Sequence, residues 1–171
     1  MMGRSAALAA LLIGAAAVTL TIGPRPMPRL VWNASASVPI GLYRIEPADD
    51  LAVSDLVIAM PPPALASFLA ERQYLPLGVP LIKHIVALPG RSVCRREFTI
   101  SVDGTEIGMA LAHDRLGRPL PVWQGCRAIT KAEVFLMNTD APASLDGRYF
   151  GPIPWRAIVG RAEPFWTFSA Q

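Results

Sequence analysis

The sequence predicts a mainly β domain with one short helix, preceded by a hydrophobic amino-terminal helix. Three observations carry that expectation. The chain has 171 residues, the length of one ordinary domain. It holds 17 prolines and 13 glycines; proline removes an amide donor and breaks helix interiors, so this many point to short strands and turns rather than a helical bundle. Past the amino terminus, the apolar residues fall in short or alternating runs bounded by Pro, Gly or Asp. Composition excludes several classes. At 52% hydrophobic and 17% charged, the chain is not intrinsically disordered. A net charge of +3, with no basic stripe interleaved with aromatics, gives no reason to expect nucleic acid as a partner. Two cysteines are too few for a disulfide scaffold, and no CxxC or Cys/His cluster points to a metal.

In chain order, residues 1–23 come first as a membrane anchor or signal segment. Ala6 to Ile22 carries no charge and would span roughly 26 Å as a helix, just enough for a thin bilayer. An uncleaved anchor, a signal peptide cut near Ala15-Ala16-Ala17 and a buried core helix are the three readings. Residues 24–30 follow as a stiff proline-rich linker. Strands are expected at Gly41 to Ile45, Leu56 to Met60 and Leu81 to Leu88. Pro61-Pro62-Pro63 starts the helix, with Leu65, Phe68 and Leu69 on its apolar face. Residues 94–126 read as an inserted hairpin or cap, because Phe98 to Val102 alternates and Asp103-Gly104 is a strong hairpin turn. Strands resume at Glu133 to Met137 and Ala157 to Gly160. Cys94 and Cys126 bracket the insertion. A disulfide between them would persist only in an oxidising compartment, which would place residues 31–171 outside the cytoplasm; two separate buried thiols is the other reading.

Three places could hold chemistry. The only histidines, His84 and His113, read as packing or surface residues. Asn33-Ala-Ser35-Ala-Ser37-Val-Pro39-Ile-Gly41-Leu-Tyr43 is a small-residue, serine-rich turn opening into a strand, where a substrate backbone could approach a serine closely. Lys83 lies within an almost wholly apolar strand, Pro80 to Gly90. Loss of hydration there would pull its pKa from roughly 10.4 towards neutrality. A neutral lysine amine can take a proton from a serine hydroxyl, so a Ser-Lys dyad needs no histidine. Snorkelling of the ammonium to water is the alternative.

Taken together these runs resemble the boxes of signal peptidases, serine peptidase family S26, and specifically their conjugative-transfer (TraF-type) branch. Asn33 to Tyr43 resembles the nucleophile box and Leu81 to Gly90 the lysine box. Ser144-Leu-Asp-Gly-Arg-Tyr-Phe-Gly-Pro152 resembles the third box, and Ile158 to Ala162 its closing strand. The resemblance runs from Ala6 to Ala162. It implies a signal-peptidase/LexA-like coiled β fold with an inserted cap and an amino-terminal transmembrane helix. It implies Ser37 as nucleophile and Lys83 as general base. The Ser37 backbone amide and the Ser35 hydroxyl would stabilise the oxyanion. Asp146 would support the lysine by orientation and hydrogen bonding, since a nearby carboxylate raises a lysine pKa and opposes desolvation. Arg148 would pair with it.

Two departures stand out. Gly147 follows the aspartate where the family commonly has Ser, which removes one side-chain support for Lys83; Leu136-Met-Asn138 lacks the Gly-Asp-Asn run of general signal peptidases. The second favours the conjugative branch. That branch implies a single-pass protein of the inner membrane with its catalytic domain on the periplasmic face. Its substrate would be a pilin or other exported precursor, cut after a small residue and in some members cyclised. No cofactor or metal is implied. A general signal peptidase and a non-enzymatic pilus-assembly factor are the competing expectations.

Overall fold

A computed structural model describes residues 3–21 and 29–168. The first element is helix α1, Arg4–Thr21, rich in alanine, the strongest helix former. Among the described residues no helix is long and apolar enough to cross a membrane, so the expected transmembrane helix is not shown. Large apolar side chains are sparse in α1, and Leu8, Leu11, Leu12 and Ile13 are exposed. The proline-rich linker falls outside the described residues except at its end, where Leu30 already belongs to a strand.

The body is a curled half-barrel sheet of seven strands. In chain order these are β1 (Leu30–Asn33), β2 (Ile40–Glu46), β3 (Leu56–Ala59), β4 (Leu81–Ala87), then β9 (Glu133–Met137), β10 (Ile153–Pro154) and β11 (Ile158–Phe168). Their spatial order is β1-β2-β11-β3-β4-β9-β10. The last strand runs well past the expected Gly160. Bulges at Ile158/Gly160 and Pro164/Trp166 bend it, so that it pairs first with β3 and then with β2. Pro164 therefore sits at a break in the ladder, where a missing donor costs little. Helix α2, Pro63–Glu71, begins with proline at its first positions and turns Leu69 inward. A third helix, of four residues and not expected from the sequence, α3 (Gly147–Phe150), is capped by Asp146, whose side chain accepts from the Arg148 amide.

The insertion is more than a hairpin. It is a four-stranded sheet of β5 (Ser92–Arg96), β6 (Thr99–Val102), β7 (Thr105–Met109) and β8 (Gly125–Ala128), ordered β7-β6-β5-β8. Cys94 and Cys126 are direct cross-strand partners on β5 and β8 and are joined as a disulfide. Strand β8 escapes sequence reading because every residue of it is exposed and no alternation marks it. Asp103-Gly104 does turn β6 into β7 as expected.

The insertion holds α3 firmly. Trp123 Nε1 donates to the Gly147 carbonyl at 3.0 Å, Arg95 Nη1 to the Arg148 carbonyl at 2.6 Å, and the Leu111 amide to the Tyr149 hydroxyl at 3.0 Å. Ala110, Leu120 and Tyr149 close a small core between them. The main core lies along β3, β4 and β9, where Val57, Ala59, Ile85, Val134 and Leu136 meet.

Candidate active site

Strands β1 and β2 are paired through Asn33 and Gly41, and the turn between them carries Ser35 and Ser37. Gly41 is needed there. Its φ is +150°, and a Cβ would lie 2.2 Å from the Trp166 carbonyl oxygen on β11. The turn is tied internally. The Asn33 side-chain amide donates to the carbonyls of Ser35, Val38 and Pro39 at 2.8, 3.1 and 3.1 Å. Its oxygen accepts from the Ser35 amide and hydroxyl at 3.1 and 2.9 Å. The two serine hydroxyls are 3.0 Å apart. The Tyr43 hydroxyl, on a fully buried ring, closes the turn onto Pro39 O at 2.6 Å.

Lys83 sits mid-strand in β4, between β3 and β9, with Val57 as its cross-strand partner. Both faces of this central strand are covered: Ile82 is 6% exposed and Lys83 only 5%. The ammonium does not snorkel. Nζ lies 3.2 Å from Ser37 Oγ and 2.7 Å from Ser144 Oγ. Burial pushes its pKa down to about 8; Asp146 opposes that shift and Arg148 adds to it. Near neutral pH such a group is deprotonated far more often than an ordinary lysine.

The sequence reading brought Ser37, Lys83 and Ser35 to one place, and the structure does the same. It distributes the third box differently. Asp146 makes no hydrogen bond to Lys83. Its oxygens take the Arg148 amide and guanidinium at 2.8 to 3.2 Å and the Asn138 amide at 3.1 Å. Asp146 and Arg148 form a salt bridge with both side chains buried. Arg148 then wraps the preceding turn, donating to the carbonyls of Asn138, Ala141, Pro142 and Ser144. That turn presents the Ser144 hydroxyl to Lys83. Gly147 offers Lys83 no side chain, and the Ser144 hydroxyl, to which the sequence analysis gives no role, meets the amine in its place. Gly147 has its own reason to be glycine: a Cβ there would lie 2.7 Å from the Leu136 carbonyl and from the Phe135 ring.

The histidines stand apart from this cluster. The His84 ring meets the Ser54 carbonyl at 3.0 Å, while its backbone amide donates to Asn138 Oδ1. His113 bridges to Pro119 in the insertion. Among the described residues no three His, Cys, Asp or Glu side chains gather as metal ligands. An open apolar groove of about 380 Å³, lined by Leu65, Phe68, Phe150 and Ile153 among others, holds none of the cluster residues. What the cluster brings together is a hydroxyl, a buried amine of lowered pKa, and a second hydroxyl beside the first.

Comparison with known proteins gives the family of the chain. The model of the family described as signal peptidase, peptidase S26, matches residues 2–166. A probable conjugal transfer protein TraF of Sinorhizobium fredii is 36% identical over 147 residues, covering 80% of this chain and 77% of that one. A conjugal transfer protein TraF of Agrobacterium fabrum is 34% identical over 149 residues, 80% of this chain and 82% of that one. A plasmid transfer protein TraF of Escherichia coli is 28% identical over 165 residues, 91% and 93% of the two chains. Among solved structures, a signal peptidase I of Enterococcus faecalis aligns with a TM-score of 0.39 at 17% identity, over 67% of this chain and 97% of that one. Matched along nearly its whole length, the chain belongs to the signal peptidase family, peptidase S26, with conjugal and plasmid transfer TraF proteins as homologues.

Proposed function

We propose that this chain is a membrane-attached serine endopeptidase that uses a Ser37-Lys83 dyad to cut a pilin-type precursor for conjugative transfer. One observation carries the reading: a buried lysine amine of lowered pKa stands 3.2 Å from a serine hydroxyl in a small-residue turn. In the reaction, Ser37 Oγ attacks the scissile carbonyl carbon while its proton passes to neutral Lys83. The tetrahedral oxyanion is held by the Ser37 amide and the Ser35 hydroxyl; one such donor contributes about 2.7–4 kcal/mol of barrier stabilisation. The new amine leaves with the proton from Lys83, and a serine ester remains. Water then releases the acid, or an amine of the same precursor closes a ring. Ser144 holds the lysine amine in place, and Asp146 acts on it through Arg148 and the turn rather than by contact. The chemistry needs no cofactor.

Attachment to the inner membrane is supported by α1, with its exposed Leu8, Leu11, Leu12 and Ile13, and by an exposed aromatic patch. Trp32, Trp166 and Phe168 lie at one end of the sheet, where β1, β2 and β11 run side by side. Tryptophans favour the membrane interface. The disulfide fits a periplasmic location. Resistance of the full chain to alkaline extraction from membranes is expected, and release into the soluble fraction would end this part of the reading.

The activity is tested by co-expression with the pilin precursor of the same genetic element, comparing wild type, Ser37→Ala and Lys83→Ala by intact mass of the pilin. Truncation with wild type alone is expected, and a further loss of one water would mark cyclisation. Normal processing by either variant would exclude the dyad. Equal cleavage of unrelated secretory precursors would point instead to a general signal peptidase.

A further inference from the structure

The Asn33 side chain has a role that neither the dyad nor the third box explains. Its orientation is fixed by the backbone. The Ser35 amide can only donate, so the atom facing it is Asn33 Oδ1, and Nδ2 must face the carbonyls of Ser35, Val38 and Pro39. The same Oδ1 meets the Ser35 hydroxyl at 2.9 Å and has no hydrogen to give, so Ser35 donates there. A hydroxyl has one hydrogen. In the 3.0 Å contact between Ser35 and Ser37, Ser37 is therefore the donor. The resting chain of hydrogens runs from Ser37 to Ser35 to Asn33, away from Lys83, whose ammonium donates to Ser37 at 3.2 Å.

We infer that Asn33 is a positioning residue that parks the Ser35 hydroxyl in the resting site and surrenders it to the oxyanion during the reaction. The inference rests on the reading of Ser37 as nucleophile. When a substrate carbonyl enters and Lys83 is neutral, the Ser37 hydrogen turns to the lysine and the Ser35 hydrogen turns to the developing oxyanion. Asn33 Oδ1 keeps the Ser35 amide throughout, so it is never left bare. Its three donor contacts meanwhile hold the turn from residue 34 to residue 39 in one shape.

The test uses an internally quenched peptide with alanine at the first and third positions before the cut, and the full chain as wild type, Ser37→Ala, Asn33→Ala, Ser35→Ala and the Asn33→Ala/Ser35→Ala pair. Asn33→Ala is expected to lower kcat about 30- to 300-fold, near the range for loss of one oxyanion donor, with KM changed less than about threefold. The part of the loss that runs through Ser35 disappears in the pair, which should therefore fall well short of the product of the two single losses. An unchanged kcat, or losses that multiply in the pair, overturns the inference. Backbone amide exchange reads the clamp without the reaction: the Ser35 amide should be protected in wild type and exposed in Asn33→Ala. Asn33→Asp keeps the acceptor and should retain that protection, which serves if the alanine variant fails to fold. Equal, fast exchange in wild type and variants overturns the inference. If wild type leaves the peptide uncut, the pilin precursor takes its place; if wild type cuts neither, or Ser37→Ala cuts either, it is the peptidase reading that fails, and amide exchange alone decides on the clamp.

Discussion

Replacing Ser144 with alanine separates the orientation of Lys83 from its burial. Ser144 is 6% exposed and its hydroxyl is the nearer of the two that meet Lys83 Nζ, at 2.7 Å against 3.2 Å for Ser37. A hydrogen bond to a charged group contributes about 1.5–3 kcal/mol, and it is the ammonium that loses most when the acceptor goes. One pKa unit corresponds to about 1.4 kcal/mol, so the lysine should fall from about 8 to about 7 or below. The amine also loses its better anchor. General acid–base catalysis contributes typically about 10²- to 10⁴-fold, and misaiming the base forfeits part of that. The expected result is a kcat lowered about 10- to 100-fold on the alkaline plateau, with the pH-rate inflection displaced downward by about one unit. Ser144→Thr, which keeps a hydroxyl, should recover much of both. The assay is cleavage of the quenched peptide from about pH 6 to about pH 10. A variant with wild-type plateau and inflection would show that Ser144 does nothing for Lys83.

Two further outcomes follow from burial and from the insertion. Lys83 has a folded pKa of about 8, below its unfolded value of roughly 10.4, so the unfolded chain binds more protons between those values. The cost of burying the ammonium is fully present below about pH 8, and stability should rise with pH from there to roughly 10.4. Lys83→Met should lose this slope in thermal melts; a wild-type slope that the variant keeps would place its origin elsewhere. Reduction of Cys94–Cys126, which closes a loop of 32 residues, should lower stability by about 3–4 kcal/mol in the chain-entropy account. Melts with and without a thiol reductant check this, and identical curves would refute it.

How much of this was legible beforehand depended on whether a residue violated its surroundings. Lys83 was visible because a charge in an apolar strand is anomalous, and the structure leaves it buried. Ser35 and Ser37 were visible through the small residues around them. The paired cysteines fixed the base of the insertion, yet β8 left no trace, since an exposed four-residue strand has no periodicity to read. Ser144 was hidden for a different reason. A serine before Leu-Asp looks like any turn residue, and its contact with Lys83 exists only because Arg148, four residues on, folds the chain back through carbonyls from Asn138 to Ser144. Long-range placement of that kind has no local signature. Asp146 was assigned to the lysine by family resemblance. The chain instead caps a short helix with it, which delivers the guanidinium of Arg148 to its oxygens.

That reassignment resolves a difficulty in the chemistry. A lone carboxylate near Lys83 would favour the ammonium and work against a neutral base. In this site the carboxylate comes already paired, with Asp146 and Arg148 both buried and in contact, and their effects on the lysine have opposite signs. Desolvation is left as the dominant influence, and the pKa is pushed down to about 8. The same guanidinium that offsets the carboxylate also builds the turn that presents Ser144. The insertion in turn holds the Arg148 carbonyl through Arg95, and the neighbouring Gly147 carbonyl through Trp123. A cap in this position is a brace for the lysine's support. Its disulfide joins β5 to β8 at Cys94, next to Arg95 on the same strand.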